Sequence, residues 1–201
     1  MIKNVIFDFG QVLVRFEPEY MTEKYIDDAA GVKLVSQVVF DRLYWDRLDE
    51  GSISDDEVVQ LSRERLPEKY HDAVREVYYN WIYNLPPISG MEKIINKLKE
   101  KGIRLFLLSN ISRYFADNAS KIPVLSHFEK CVFSAMCGYT KPNKEIFAHL
   151  CDIGKILPSE TLFIDDNEKN INGARDFGIE GYLFDGDAEK LEEYLKDCKI
   201  L

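Results

Sequence analysis

The sequence predicts an α/β fold in which helices cover a doubly wound, parallel, five-stranded Rossmann-like sheet, with an all-helical subdomain inserted near the start. Three observations indicate this fold. Short runs of consecutive apolar residues are typical of parallel strands, which are buried on both faces. Helical patterns separate the later runs, as the crossovers between parallel strands require. Between the first two runs, about seventy residues show no strand pattern, whereas a crossover needs only about a dozen.

The five apolar runs define the predicted strands. They cover residues 2–7, 103–108, 130–133, 161–164 and 181–184. Predicted helices alternate with the later strands and cover residues 91–101, 142–151, 168–177 and 188–197. Gly102 and Gly178 directly follow two of these helices, at the position where glycine commonly ends a helix. Pro142 stands at an early position of another helix, where proline is tolerated.

The segment between the first and second strands is predicted to be helical. Helical patterns cover residues 18–29, 32–43, 54–66 and 68–83. Pro86 and Pro87 follow them and stiffen the return to the α/β pattern. We therefore predict a core domain of residues 1–15 and 86–201 and a helical cap domain of residues 16–85.

The composition is that of a soluble globular protein, because 46% of the 201 residues are hydrophobic and 30% are charged. No apolar stretch approaches the ~20 residues that cross a membrane, so no membrane segment is expected. A net charge of −9 disfavours nucleic acid as a partner, because phosphate backbones attract basic surfaces. The sequence leaves the oligomeric state open.

The cysteines indicate neither a zinc site nor a disulfide framework. Cys131, Cys137, Cys151 and Cys198 form no CxxC pair and have no histidine cluster beside them. The N-terminus enters the first strand without the pattern of a secretory signal. We therefore expect reduced thiols in a cytoplasmic protein.

Polar residues collect where the predicted strands end, which is where open α/β sheets bind their ligands. These residues are Asp8, Ser109, Asn110, Lys141, Asp165, Asp166 and Asn167. Each of them, taken alone, is also explained as a turn residue, a helix cap or a surface charge. Their joint occurrence after four successive strands favours one shared site.

The chemistry of this set indicates phosphoryl transfer. Crowded carboxylates repel each other unless a cation neutralises them, and oxygen ligands of this kind suit Mg²⁺. A hydroxyl and a lysine can bind the charged oxygens of a phosphoryl group, and an aspartate can attack the phosphorus. The residues therefore predict Mg²⁺-dependent phosphoryl transfer through Asp8, with a small phosphorylated molecule as the substrate.

Four segments also resemble the motifs of the haloacid dehalogenase (HAD) superfamily. They are VIFDFGQVLV, LFLLSN, TKPNKEIF and LFIDDNEKNINGARDFGI. The helical insertion resembles the family's cap, which covers the active site, so the resemblance spans essentially the whole chain. It implies a phosphatase, and the D-x-G form of the first motif resembles a bacterial branch that includes α-glucose-1-phosphate phosphatases.

The resemblance also assigns roles to individual residues. It implies that Asp8 is the nucleophile and a Mg²⁺ ligand, and that Gly10 offers its backbone carbonyl to the metal. Asp166 would hold Mg²⁺ together with Asp165, which acts directly or through water. Lys141 would balance the charge. The substrate's phosphoryl group would lie among Asp8, Phe9, Gly10, Ser109, Asn110 and Lys141.

Gly10 departs from the D-x-D motif of most phosphatases in the family, in which the second Asp acts as acid and base. Such help is typically worth ~10²–10⁴ in rate. Its loss matters least when the leaving group is already stable, which predicts a substrate such as a sugar 1-phosphate. Glu17 or Glu19 could supply a replacement acid from the cap, and Arg15 could contact the substrate. Alternatively, these three residues simply face solvent.

Two other functions stay open at this point. A 2-haloacid dehalogenase would need neither a second Asp nor a metal, but would leave Asp165 and Asp166 without a function. The other possibility is a binding or regulatory protein built on a phosphatase that has lost activity. Gly10 is the only residue that favours it. The cap aromatics are equally ambiguous, since they could line a substrate pocket or form the cap core. They are Trp45, Tyr78, Tyr79 and Tyr83.

Overall fold

A computed structural model describes all residues from Met1 to Leu201 and confirms the parallel five-stranded sheet. The strands are β1 (Asn4–Phe7), β2 (Arg104–Ser109), β3 (Lys130–Phe133), β4 (Thr161–Asp165) and β5 (Glu180–Leu183). Their order across the sheet is β3-β2-β1-β4-β5, and all neighbours are parallel. Each strand boundary lies within two residues of its predicted position.

The register of the central strands brings their carboxyl ends together. Phe7, the last residue of β1, lies opposite Leu107 of β2 and Ile164 of β4. The next residue continues this alignment, because the backbone N–H of Asp8 donates to the carbonyl of Ile164 at 2.9 Å. The polar residues that follow these three strands therefore share one edge of the sheet.

Five helices follow β1. They are α1 (Pro18–Thr22), α2 (Ala29–Val39), α3 (Arg42–Asp49), α4 (Asp55–Glu64) and α5 (His71–Asn80), and 3₁₀ turns cover Glu68–Tyr70 and Trp81–Tyr83. The sequence prediction missed α3 and extended the preceding helix to residue 43. That prediction was wrong because Asp41 adopts an extended conformation and caps a new helix, its carboxylate accepting from the Leu43 N–H at 2.9 Å.

Six further helices belong to the α/β part of the chain. They are α6 (Met91–Glu100), α7 (Arg113–Asn118), α8 (Ser134–Cys137), α9 (Lys144–Gly154), α10 (Glu168–Asp176) and α11 (Ala188–Asp197). The predicted helix at residues 142–151 begins two residues later, because Asn143 is extended and leaves Pro142 outside the helix. The short helices α7 and α8 were not predicted. None of the eleven helices has the length and apolarity needed to cross a membrane.

Both faces of the sheet are covered, which explains the unbroken apolar runs. Ile6 points into a core that α9 and α10 complete, whereas its neighbours Val5 and Phe7 point into a larger core that extends into the helical segment. Successive residues of a strand alternate between the two faces. The middle positions of the central strands are therefore all apolar.

Aromatic contacts fasten the helical segment to the sheet. The ring centroids of Trp45 and Trp81 lie 5.3 Å apart, and Trp81 stacks on Phe115 at 5.7 Å. Phe115 in turn lies 4.8 Å from Phe9, the residue after Asp8. This chain of rings ends beside the carboxyl end of β1 and fixes where the helices meet the polar edge of the sheet.

Candidate active site

Asp8 directly follows the last residue of β1 and is only 9% exposed. Its Oδ1 accepts a hydrogen bond from the Phe9 N–H at 2.7 Å and contacts the ammonium group of Lys141 at 2.8 Å. Both contacts use the same oxygen, so the carboxylate is fixed in orientation while Oδ2 is left for another partner. Burial raises the pKa of Asp8 and the charge of Asp165 adds to the rise, although Lys141 opposes it.

Lys141 is held at both its ends. Its buried ammonium group lies 2.8 Å from Asp8 Oδ1 and 2.8 Å from Asp165 Oδ2. Burial alone would lower the pKa of Lys141, but the carboxylates of Asp165 and Asp8 outweigh this effect and raise it. Its backbone N–H and carbonyl are hydrogen-bonded to the side-chain amide of Asn110. The loop between α8 and α9 therefore places a charged lysine at a fixed point between the carboxyl ends of β1 and β4.

Asp165 and Asp166 are adjacent in sequence but differ in their surroundings. Asp165 is fully buried, and both of its oxygens already accept hydrogen bonds. The donors are Lys141 Nζ at 2.8 Å, the Asn167 N–H at 2.8 Å, and Asn170 Nδ2 at 3.0 and 3.1 Å from the two oxygens. The Asp166 side chain is instead exposed and lines the cavity described below.

Three carboxylates lie close together at this edge of the sheet, and a divalent cation would relieve their mutual repulsion. Carboxylate oxygens of Asp8, Asp165 and Asp166 all lie within 4.8 Å of one another. Burial raises the pKa of Asp166, and the charge of Asp165 raises it further. One lysine does not balance three carboxylates. The all-oxygen donor set and the excess negative charge therefore fit Mg²⁺.

A cavity of about 450 Å³ opens above these residues, a volume that suits a small molecule. The core contributes Asp8, Phe9, Gly10, Ser109, Asn110, Lys141 and Asp166 to its walls. The helical segment contributes Phe16, Arg42, Trp45, Asp49 and Trp81. Seven of the eight predicted site residues therefore line one cavity, and the eighth, Asp165, lies directly beneath it against Lys141.

The structure separates the predicted cap residues. Trp45 lines the cavity and is also part of the aromatic core. Tyr78 and Tyr79 lie outside the cavity, where their hydroxyls donate to Asp55 and Asp56. Tyr83 lines a separate cavity of about 690 Å³ that contains neither Asp8 nor Lys141.

The proposed replacement acids also lie outside the active-site cavity. Glu17 and Glu19 are exposed and contribute nothing to its walls. Arg15 pairs with Glu17 at 3.8 Å and lines a neighbouring cleft instead. Of the two alternatives that the sequence left open for these residues, the structure favours the one in which they face solvent.

Asn170, Arg42 and Asp49 are among the cavity residues that sequence reasoning missed. Asn170 lies in the first turn of α10, where the helical period after Asp166 could have indicated its position. Arg42 and Asp49 had no sequence signal. Both belong to the amphipathic helix α3, in which a charged residue is indistinguishable from one on the solvent face.

A buried aspartate and lysine at the carboxyl edge of a parallel sheet, beneath a helical wall, are the features of an α/β enzyme. The family model for haloacid dehalogenase-like hydrolases matches residues 2–178. The chain belongs to this family, as its motifs predicted.

Individual relatives share nearly the full length of the chain. A D-ribitol-5-phosphate phosphatase of Bacteroides thetaiotaomicron is 25% identical, over 96% of this chain and 97% of that protein. The structure of a HAD family enzyme from the same species, in complex with magnesium and inorganic phosphate, has a TM-score of 0.73 and 26% identity, covering 95% of this chain and 99% of that one. A HAD-like hydrolase from Porphyromonas gingivalis has a TM-score of 0.74 and 28% identity, covering 99% and 98% of the two chains.

Proposed function

We propose that the protein is a Mg²⁺-dependent phosphatase that hydrolyses a small phosphorylated metabolite through an aspartyl-phosphate on Asp8. One observation carries this proposal. Asp8 lines the cavity, and its Oδ1 is held by Lys141 and the Phe9 N–H, which leaves Oδ2 as the nucleophile of an oriented carboxylate. The similarity to a D-ribitol-5-phosphate phosphatase over nearly the whole chain supports the same activity.

In the first half-reaction, Asp8 Oδ2 attacks the phosphorus and the bond to the leaving oxygen breaks. The ammonium of Lys141 neutralises charge on the phosphoryl oxygens, and Ser109 donates a hydrogen bond to one of them. In the second half-reaction, water attacks the phosphorus and releases inorganic phosphate, which restores the Asp8 carboxylate. The helical wall of the cavity limits the access of bulk water during both steps.

The metal would be held by Asp8, Asp166 and the backbone carbonyl of Gly10. Bound Mg²⁺ supplies positive charge that neutralises the phosphoryl group. Asp165 has no free oxygen for this purpose, because all its contacts are with donors of the protein. We assign it to the orientation of Lys141, which divides the tasks that the sequence left unresolved between the two aspartates.

Two substrate classes are supported by different observations. The absence of a carboxylate at Gly10 favours a stable leaving group, as in a sugar 1-phosphate, which agrees with the D-x-G resemblance to α-glucose-1-phosphate phosphatases. The full-length similarity to a D-ribitol-5-phosphate phosphatase favours a polyol phosphate, whose alkoxide leaves poorly unless it receives a proton. The two classes differ in their need for an acid.

The first experiment is hydrolysis of p-nitrophenyl phosphate by the purified protein with and without Mg²⁺, with Asp8→Asn as the matched control. This ester needs little protonation, so it tests the nucleophile, metal and phosphate site alone. Activity that requires both Mg²⁺ and Asp8 supports the phosphatase and leads to a panel that includes glucose 1-phosphate and ribitol 5-phosphate. Activity no higher than that of Asp8→Asn would favour a binding protein, and metal-free chloride release from 2-chloropropionate would favour a dehalogenase.

A further inference from the structure

Asp49 is a buried carboxylate on the helical wall of the active-site cavity. It is the last residue of α3, and only 8% of it is exposed. It lines the same cavity as Asp8 and Lys141, yet its Oδ1 has no hydrogen-bond partner in the protein. Buried polar atoms are almost always paired. A buried carboxylate that lines a cavity and has an unpaired oxygen therefore indicates a partner that arrives with the substrate.

We propose that Asp49 is a catalytic acid and base of the phosphatase and replaces the carboxylate that is missing at Gly10. This inference rests on the proposed function and adds to it the source of the proton for the leaving group. Asp49 is the one carboxylate that the helical segment contributes to the cavity. The sequence candidates Glu17 and Glu19 do not reach it.

The surroundings of Asp49 favour the protonated form that an acid requires. Burial raises its pKa to about 7, and the negative end of the α3 dipole acts in the same direction. Asp46 of the same helix and Asp8 of the core also raise the pKa, whereas Arg42 and Lys141 lower it. Arg42 is mostly exposed and pairs with Asp46, so its charge offsets only part of the effect of burial on Asp49. A pKa near neutrality suits both donation and acceptance of a proton.

The space beside Gly10 is compatible with the proposal that Asp49 supplies the carboxylate missing at Gly10. A Cβ added at Gly10 would meet no atom within 4 Å, so no neighbouring side chain occupies the place of the missing carboxylate. Gly10 and Asp49 line the same cavity, one from the sheet and the other from the helices. Asp49 can therefore face the leaving oxygen of a substrate whose phosphoryl group lies at Asp8.

The proton balance closes over the two steps. As the bond between phosphorus and the leaving oxygen breaks, the carboxylic acid of Asp49 gives its proton to that oxygen, and the alcohol departs. The resulting Asp49 carboxylate then takes a proton from the water that attacks the aspartyl-phosphate. Inorganic phosphate leaves, and Asp8 is again ionised and Asp49 again protonated. With its own acid, the enzyme would accept primary alkyl phosphates as well as esters with stable leaving groups.

The test compares Asp49→Asn with wild type on p-nitrophenyl phosphate and on the best alkyl phosphate of the panel, at saturating Mg²⁺. The neighbouring exposed carboxylate provides the matched control, Glu50→Gln. Because kcat/KM reports the steps up to release of the first product, it isolates protonation of the leaving group. We expect kcat/KM of Asp49→Asn to fall by ~10²–10⁴ on the alkyl ester. On the aryl ester it stays within about threefold, because that leaving group needs little protonation.

The kcat of Asp49→Asn should fall on both esters, because deprotonation of the attacking water is a step common to all substrates. The double variant Gly10→Asp, Asp49→Asn should regain activity on the alkyl ester, since it restores a carboxylate to the D-x-D position. Equal loss of kcat/KM on both esters, or no loss on either, would overturn the role of Asp49. A wild-type enzyme that hydrolyses the aryl ester but no alkyl ester would also overturn it. Failure of wild type on both esters would instead refute the proposed function itself.

Discussion

The side-chain amide of Asn110 forms two hydrogen bonds with the backbone of Lys141. Asn110 Oδ1 accepts from the Lys141 N–H at 2.8 Å, and Asn110 Nδ2 donates to the Lys141 carbonyl at 3.0 Å. Asn110, the residue after β2, thereby fixes the loop between α8 and α9, although 31 positions separate Asn110 from Lys141 in sequence. The resemblance assigned Asn110 to the phosphoryl group, and its side chain has this additional task.

Loss of the two hydrogen bonds between Asn110 and Lys141 should reduce activity more than stability. In Asn110→Ala the ammonium of Lys141 keeps its two carboxylates, but its backbone can shift. Misplacement by about 1 Å can cost ~10²-fold in rate, so we expect kcat on p-nitrophenyl phosphate to fall by about 10–100-fold. Asn118→Ala, which alters an asparagine outside the cavity, serves as the control. Unchanged kcat in Asn110→Ala would contradict the positioning role.

Removal of Lys141 should destabilise the protein as well as inactivate it. Lys141→Met leaves Asp8 and Asp165 buried without a cation, and breaking a buried pair in this way costs about 3–5 kcal/mol. Asp8→Asn should be inactive but much less destabilised, because Lys141 keeps its contact with Asp165. Urea denaturation of both variants in the absence of Mg²⁺ measures the difference. Equal stability of the two variants would show that the ion pair contributes little.

Because α10 closely approaches the loop that carries Lys141 and Pro142, no larger residue should be tolerated at Gly173. A Cβ at Gly173 would lie 2.3 Å from the Pro142 carbonyl oxygen, and a backbone atom cannot move aside as a flexible side chain can. We expect Gly173→Ala to cost about 1–3 kcal/mol through overpacking and to lower kcat by displacing Lys141. Gly10→Ala, where no atom lies within 4 Å of the added Cβ, should leave the melting temperature unchanged. An unaltered melting temperature in Gly173→Ala would refute this packing argument.

The two aspartates at the carboxyl end of β4, Asp165 and Asp166, should respond differently to magnesium. Asp166→Asn removes a proposed ligand, so the Mg²⁺ concentration for half-maximal activity should rise at least about tenfold. Asp165→Asn weakens the contact that orients Lys141, so the maximal rate should fall and excess Mg²⁺ should not restore it. Titration of both variants with Mg²⁺ separates the two effects. The reverse pattern would assign the metal to Asp165.

Asp49 should make stability depend on pH in a direction opposite to that of a salt-bridged carboxylate. Its pKa rises from the ordinary value of 3.8 to about 7 in the folded protein, so between these two pH values the folded state binds more protons than the unfolded state. Its contribution to stability is present below pH 4 and is lost as the pH rises through 7, by at most about 4 kcal/mol.

The substitution Asp49→Asn removes this dependence. Relative to wild type, the variant should gain stability between pH 5 and pH 8, and the difference between the two pH values is the quantity to measure by urea denaturation. Glu50→Gln should show no such change. A constant difference between Asp49→Asn and wild type across this range would indicate that Asp49 titrates normally. The same experiment shows that loss of activity in Asp49→Asn does not result from unfolding.

The sequence by itself determined the sheet, its covering helices and the residues at the carboxyl ends of the strands. Consecutive apolar positions identify strands that are buried on both faces, and parallel pairing then forces their ends to meet. Asp8, Ser109 and Asp166 could be assigned to one site on this ground, because parallel strands bring the residues at their carboxyl ends to the same edge of the sheet.

The tertiary structure decided how these residues are used. The division between Asp165 and Asp166 depends on which carboxylate faces Lys141 and Asn170, and no spacing in the sequence reveals this. The position of Asp49 in the cavity depends on how α3 lies over the sheet. The aromatic contacts of Trp45 and Trp81 fix this placement of α3. Local patterns determine strands and their ends because those follow from backbone geometry. The partners of a buried charge are set by long-range packing, which only the folded chain defines.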